Sequence, residues 1–132
     1  MIEGLAHVGV AVKDIDEGIS FFEEKFGAKL DTSTVPDGKM NFGLHISAVV
    51  RVGELAFELM QPTEEGVGPV GKFVAEKGEG LHHISLKVDK YASSKAEFEG
   101  KDLKVMGEMA GVMAFIHPKT CKGMLVEFTE IG

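Results

Sequence analysis

Apolar and polar residues alternate over residues 5–12, a pattern typical of a strand with two unlike faces. Ala6, Val8 and Val10 fall on one face, which is uniformly apolar and should pack against a helix. His7 falls on the other face, among small residues that leave space in front of the sheet. The chain therefore opens with a strand that has one side for the core and one side with room for another group.

A helix is predicted directly after this strand. Ile15, Ile19, Phe22 and Phe26 recur at a spacing of three or four residues, which places them along one face of a helix. Gly27 is the stop signal expected at its C-terminus. The same patterns predict the remaining elements: a short strand near 28–33, a hairpin of strands 42–52 and 54–61, a short helix around 69–77, a strand over 81–88, a helix after Asp89, and strands near 103–107, 112–117 and 124–130.

The strand 81–88 nearly repeats the strand 5–12. Aligning the two places His83 on His7, with apolar residues at matching alternate positions. The order strand–helix–strand–strand–strand then occurs twice. We therefore expect an α+β fold, in which two tandem βαβββ modules form a partly closed, eight-stranded mixed sheet. The predicted organisation is a single domain with these parts: module one at about 1–62, a linker helix at about 63–80 and module two at about 81–132.

Four polar side chains lie in the middle of predicted strands, opposite the most apolar positions: His7, Glu58, His83 and Glu127. A carboxylate that is buried without a partner is strongly destabilising, so two at equivalent places need a common partner. Imidazole nitrogen and carboxylate oxygen suit Zn, Co, Ni, Mn or Fe. A sheet built from two similar modules would bring the four side chains to one point. The set therefore predicts one divalent metal ion.

Other polar residues in strands have more ordinary interpretations. A single strand Glu usually faces solvent, and a single strand His is usually hydrogen-bonded. His82 shares a face with Ile84, so alternation assigns the ligand to His83 and leaves His82 to packing or to contacts around the site. His45 has no partner in the repeat. His117 begins a turn, where a structural and a ligand-contacting role are equally open.

The composition of the chain limits the kinds of binding partner and the cellular compartment that we expect. The net charge is −7 and there is no block of basic residues, which argues against nucleic acid and anionic membrane as partners. No apolar run approaches the roughly 20 residues of a membrane span, and the N-terminus lacks the features of a secretory signal. The single cysteine, Cys121, excludes an internal disulfide and fits a reducing compartment. We therefore expect a cytoplasmic protein that acts on a small molecule.

Four stretches of the sequence point to a known family. They are HVGVAVKD from His7, GEGLHHI from Gly78, FIHPK from Phe115 and GMLVE from Gly123. Together with the paired His and Glu residues, they resemble the vicinal oxygen chelate (glyoxalase) superfamily, and within it the methylmalonyl-CoA epimerase family. Glyoxalase I is a closely related enzyme of the same superfamily. The resemblance spans essentially the whole chain.

This resemblance implies a metal-dependent epimerase that acts on a CoA thioester by α-proton abstraction through a metal-stabilised enolate. It implies one divalent ion (Co, Zn, Ni or Mn), the four ligands named above, and a homodimer. Glu127 is the position that doubles as a catalytic base. Where such epimerases carry a second glutamate base, this chain has Asn41, which leaves Glu58, His45 or water as the second proton carrier.

Several further inferences depend on the substrate. The candidates for binding the CoA phosphates are Lys119, Lys122, Arg51 and Lys72. A lactoylglutathione lyase of the glyoxalase I type would use the same site for proton transfer between adjacent carbons. An extradiol dioxygenase uses Fe(II) with two His and one carboxylate, and Glu58 as a fourth ligand would crowd the positions that oxygen needs. A non-catalytic binding protein of the bleomycin-resistance kind would lack the intact set of four ligands.

Overall fold

The computed structural model describes residues 1–131 of the chain. Over that range there are three α-helices, nine strands and one short 3-10 helix, so the expected α+β class is confirmed. The elements are β1 (Ile2–Ala11), α1 (Ile15–Phe26), β2 (Lys29–Leu30), β3 (Lys39–Asn41), β4 (His45–Val52), β5 (Leu55–Pro62), α2 (Gly68–Lys77), β6 (Gly80–Val88), α3 (Tyr91–Gly100), β7 (Val105–Met109), β8 (Met113–Ile116), the 3-10 helix (Pro118–Thr120) and β9 (Val126–Thr129).

The chain divides into two compact units. The first unit is Val8–His82, and the second unit combines Met1–His7 with the chain from His83 onward. The N-terminal part of β1 therefore clusters with the second half of the sequence. The description of the chain as a single domain with a partly closed sheet stays a prediction.

In the first unit, β4 is antiparallel to β5, β2 and β3, and β5 is parallel to β1. Helix α1 begins after Asp14, whose side chain accepts a hydrogen bond from Glu17 N, and ends at Gly27 in the left-handed conformation (φ 68°). The face of α1 with Ile15 and Ile19 packs on the sheet. The core on this side consists of Val12, Ile15, Ile19, Phe22, Ala28, Ala48, Val50 and Leu59.

The opposite face of the first unit is partly covered by α2. Ala11 of β1 and Met60 of β5 form a small core with Val70, and Phe73 of α2 packs against it. Side chains two residues apart in a strand share a face. Glu58 therefore lies on the face that α2 partly covers, as the alternation in the sequence predicts.

In the second unit, β6 is parallel to β9, and β8 is antiparallel to both β9 and β7. The core is aromatic. The ring of Phe128 is fully buried, stacks on Tyr91 at 5.3 Å between centroids and meets the edge of Phe98 at 5.0 Å. These contacts attach α3 to β9 and fix the strand that carries Glu127.

Strand register confirms the internal repeat. Glu58 of β5 lies opposite Gly9 of β1, and Glu127 of β9 lies opposite Ser85 of β6. Gly9 follows His7 by two residues, and Ser85 follows His83 by two residues. In both modules, therefore, the strand with the glutamate runs parallel to the strand with the histidine, at the same stagger.

Several strand boundaries differ from the sequence prediction, and one strand is additional. The strand expected near 28–33 is reduced to Lys29–Leu30, and the last strand covers only Val126–Thr129. Lys39–Asn41, next to a stretch with turn composition, forms the additional strand β3 against β4. Among residues 1–131, no helix is both long and apolar enough to cross a membrane.

Candidate active site

Three of the four predicted ligands meet in the second unit. His7 Nε2 lies 3.1 Å from His83 Nε2, and 3.4 Å from Glu127 Oε2. His83 and Glu127 are only 6% and 5% exposed. We refer to His7, His83 and Glu127 as the His–His–Glu cluster.

The donor set of this cluster fits a divalent cation. Two imidazole nitrogens 3.1 Å apart face each other, so at most one proton is accommodated between them in the metal-free protein. Nitrogen ligands lie about 2.0–2.1 Å from zinc, so two such ligands at a tetrahedral angle are about 3.3 Å apart. The spacing of the two nitrogens is therefore that of neighbouring ligands of one ion, with a carboxylate oxygen beside them.

Contacts around the cluster orient its members. The hydroxyl of Ser85, which is fully buried, donates a hydrogen bond of 2.5 Å to Glu127 Oε2. The ring of Phe115 meets His83 edge-on, with 5.8 Å between centroids. A buried carboxylate is tolerated only when its oxygens have partners. The hydroxyl of Ser85 and the ring of His7 are partners of this kind.

Glu58 lies in the first unit and is half-buried on β5. The hydroxyl of Ser47, on β4, donates a hydrogen bond of 3.0 Å to Glu58 Oε2. Burial lowers the pKa of His45, and the negative charge of Glu58 opposes that shift. His45 precedes Ser47 by two residues on β4 and so shares its face. Glu58 is thus associated with a serine hydroxyl and an imidazole in its own unit.

His82 is not part of the His–His–Glu cluster. Its ring meets Phe73 of α2 at 5.1 Å between centroids. Burial lowers the pKa of His82; the charge of Glu58 opposes this shift, and the charges of His45 and Lys77 add to it. The choice of His83 over His82 from alternation therefore agrees with the positions of the two rings.

Asn41 has a structural role in the turn before β4. Its side-chain oxygen accepts a hydrogen bond of 2.7 Å from Gly43 N. The ring of Phe42 lies 5.4 Å from that of His45. The side chain that replaces the expected glutamate therefore stabilises a turn, and His45 is the titratable group on the strand that follows.

The candidates for phosphate binding are separated between the units. Lys119 and Lys122 are exposed in the turn after β8, in the second unit, and Lys72 is exposed on α2, in the first unit. Arg51 is paired with Asp31 at 3.0 Å. His117 Nδ1 accepts a hydrogen bond of 3.0 Å from Lys119 N, which is a structural role.

The two serines were not identified from the sequence. Serine in a strand carries no spacing signal, and its hydroxyl bonds many kinds of partner. The only available signal was position: Ser85 follows His83 by two residues and so shares its face.

A comparison with protein families decides the relationship of the chain. The model described as Glyoxalase/Bleomycin resistance protein/Dioxygenase superfamily matches residues 6–116, which include His7, Glu58 and His83. The chain belongs to this superfamily. The resemblance inferred from the sequence is therefore confirmed.

Individual members of the superfamily are similar over nearly the whole chain. Mitochondrial methylmalonyl-CoA epimerase of Mus musculus is 29% identical, over 96% of this chain and 72% of its own length. The uncharacterised protein YqjC of Bacillus subtilis (strain 168) is 31% identical, over 96% of this chain and 91% of its own length. The crystal structure of methylmalonyl-CoA epimerase from Mycobacterium tuberculosis has a TM-score of 0.82 at 25% identity, over 97% of this chain and 87% of that chain.

Proposed function

We propose that the chain is a metal-dependent epimerase that acts on a methylmalonyl-CoA-type thioester. The observation that carries this proposal is the His–His–Glu cluster, in which a buried carboxylate lies beside two facing imidazoles. The similarity to methylmalonyl-CoA epimerases of mouse and Mycobacterium tuberculosis supports the reaction and the substrate class.

His7, His83 and Glu127 would hold the metal ion, with Glu58 as the fourth ligand. Support for Glu58 comes from register, because Glu58 and Glu127 lie opposite the residues that follow His7 and His83 by two. Zn, Co, Ni or Mn suits this set of nitrogen and carboxylate donors. When bound, the ion would polarise the thioester carbonyl and stabilise the negative charge that develops on its oxygen.

Glu127 would accept the α-proton of the substrate. Its position on β9 is fixed by the aromatic core beneath it, and its carboxylate is oriented by Ser85. A general base must be held within hydrogen-bonding reach of the proton that it removes. Epimerisation then requires return of a proton to the opposite face of the α-carbon.

The second proton carrier would be His45 or Glu58. Both belong to the first unit, and the charge of Glu58 acts on the imidazole of His45. The lowered pKa of His45 keeps its imidazole neutral near pH 7, and a neutral imidazole can accept or relay a proton.

We expect His45→Gln or Glu58→Gln to abolish inversion while deuterium exchange with retention continues, as followed by NMR of a single epimer. Inversion at the full rate in both variants would leave water as the carrier.

Lys119 and Lys122 are the preferred candidates for the CoA phosphates, because both are exposed in one turn. Lys72 and Arg51 remain weaker candidates, and Arg51 is already paired with Asp31. Replacement of Lys119 and Lys122 by Gln should raise KM for the CoA thioester and leave KM for a thioester of the short pantetheine arm unchanged. Equal effects on both substrates would exclude a phosphate contact.

The test of the function is deuterium exchange at the α-carbon. The metal-loaded protein is incubated with one epimer of methylmalonyl-CoA in D2O, and mass spectrometry and NMR follow label and configuration. We expect incorporation of one deuterium together with inversion. No exchange on methylmalonyl-CoA, but turnover of the methylglyoxal–glutathione hemithioacetal, would move the assignment to a glyoxalase I-type lyase. No turnover of either would favour a binding protein.

We also propose a homodimer in a reducing compartment such as the cytoplasm. Cys121, the only cysteine, packs against the core of the second unit and is not placed to form an internal disulfide. The homodimer is supported by the family alone. Light scattering should give about twice the chain mass of 14.2 kDa; a mass equal to that of one chain would exclude it.

A further inference from the structure

The two glutamates of the repeat differ in the serine that contacts them. Ser85 lies on β6 opposite Glu127, and the residue at the equivalent position in module one is Gly9. Ser47 lies on β4 opposite Met60, two residues beyond Glu58. Its equivalent in module two is Met113, opposite Thr129. In each module, therefore, a serine contacts the glutamate, but from a different neighbour of the strand that carries the glutamate.

Ser85 acts from the side of the histidine strand. Its hydroxyl reaches Glu127 Oε2, which is the same oxygen that lies 3.4 Å from His7 Nε2. The strand that carries Ser85 also carries His83, two residues earlier and on the same face. The hydroxyl thus holds one carboxylate oxygen next to the imidazole of His7, which in turn faces His83.

Ser47 acts from the other side of its glutamate. It lies on β4, whereas β1, which continues from His7, lies on the opposite side of β5. Its bond to Glu58 Oε2 therefore comes from β4, on the side of β5 that faces away from β1. The two glutamates, although equivalent by the repeat, are contacted by serines on different neighbouring strands.

We propose that Ser85 is a positioning residue for Glu127, which selects the side-chain rotamer in which Oε2 faces the imidazole of His7. A glutamate has several rotatable bonds, and fixing them costs conformational entropy that a preformed hydrogen bond removes from the binding step. Hydrogen bonds to ionised carboxylates are short and strong. The effect on catalysis rests on the proposed function, whereas the effect on metal binding does not.

The direct test compares Ser85→Ala with the control variant Ser94→Ala. Both remove the hydroxyl of a buried serine, but Ser94 lies on α3 and does not contact a glutamate of the repeat. We expect Ser85→Ala to weaken the binding of zinc by about 10- to 100-fold in a chelator competition, the usual effect of losing a contact that orients a ligand. Ser94→Ala should leave zinc binding unchanged, because Ser94 contacts none of the proposed ligands and its hydroxyl accepts a hydrogen bond from the N-terminal amine. Equal losses in both variants, or no loss in Ser85→Ala, would overturn the proposal.

Two further variants separate positioning from folding. Ser85→Thr keeps a hydroxyl and should retain metal affinity near that of the wild type, while Ser85→Val has the shape of threonine without a hydroxyl and should lose it. If Ser85→Ala does not fold, the Thr and Val pair decides in its place, and equal affinities of these two would contradict a role for the hydroxyl. The absorption of bound Co(II) provides a second measurement, because it should change in Ser85→Ala and Ser85→Val only.

The rate of deuterium exchange provides an independent test of the role of Ser85. In Ser85→Ala, kcat for deuterium exchange should fall by about 10- to 100-fold at saturating metal, with KM nearly unchanged. A wild type that binds zinc but does not exchange the α-proton would refute the epimerase function and leave the zinc titrations to decide on Ser85. A wild type that binds no divalent metal would refute both.

Discussion

The side chain of Glu127 is an ionisable carboxyl group that is buried in the protein. It is 5% exposed in the middle of β9, next to the fully buried Phe128. Such a carboxylate is costly to bury without partners. Ser85 and His7 supply them, and the same contacts direct one oxygen toward the imidazoles. At the scale of a single residue, the contacts that make the burial of Glu127 tolerable are therefore the same contacts that orient it for the proposed proton transfer.

The first prediction concerns this carboxylate. Glu127→Gln keeps the size of the side chain but removes the proton acceptor, so α-proton exchange should fall by about 10²- to 10⁴-fold. The rate is measured by mass spectrometry of methylmalonyl-CoA in D2O, with the metal content of each sample determined in parallel. Glu54→Gln, the same change at an exposed turn, is the control. Full activity of Glu127→Gln would remove it as the base.

At the scale of elements, the sheet of the first unit is fixed at one edge by a charged contact. Asp31, just after β2, accepts hydrogen bonds from Ser33 and from the guanidinium of Arg51 on β4. The bonds from Ser33, followed by those from Arg51, lower the pKa of Asp31 from its usual 3.8 to about 2. The folded state is therefore stabilised when Asp31 is ionised.

The second prediction follows from that shift. The folded-state pKa of Asp31 is below the unfolded value, so its contribution to stability is complete above about pH 4 and is lost as the pH falls through 2. Asp31→Asn should therefore have a lower Tm than the wild type at pH 7, and the difference should vanish near pH 2. Glu24→Gln, exposed on α1, serves as the control and should match the wild type throughout. A difference that does not depend on pH would contradict this account.

The third prediction concerns the packing of β9 on α3. Phe128 is fully buried between Tyr91 and Phe98, so Phe128→Ala should lower the free energy of unfolding by about 3–5 kcal/mol. Phe21→Ala removes the same atoms from a side chain that is 49% exposed, and should cost much less. Denaturant unfolding measures both. Comparable losses in the two variants would show that β9 is not held by this core.

The elements were predictable from the sequence where periodicity is strong. The stripe from Ile15 to Phe22 and the stop at Gly27 specify α1 because they follow directly from helix geometry. β3 was missed because three residues, Lys39–Asn41, are too few to show alternation, and their pairing with β4 is a tertiary effect.

At the site, residue types and the repeat predicted that His7, His83 and Glu127 lie together, because a histidine and a glutamate recur at equivalent strand positions. The structure brings these three side chains together, and their role as ligands stays a prediction. The serine contacts could not be predicted, since they depend on which neighbouring strand lies beside each glutamate. Ser85 and Ser47 come from different neighbours, and only the register makes that visible.

At the scale of the whole molecule, the two modules share one arrangement of histidine and glutamate. Each has a histidine on its first strand and a glutamate on a parallel strand, at the same stagger. The superfamily relationship covers most of the chain, and epimerases of this family are among its relatives. The central proposal is that the His–His–Glu cluster holds one metal ion, which is needed for α-proton exchange.

That claim is tested most directly by titrating the metal-free protein with Co(II) or Zn(II) while measuring deuterium exchange of methylmalonyl-CoA. The account predicts that exchange is absent without metal, rises linearly, and reaches a plateau at one ion per chain. Restoration by metal after chelation should be complete. Exchange that continues in the metal-free protein, or that never appears when the metal is bound, would contradict the account.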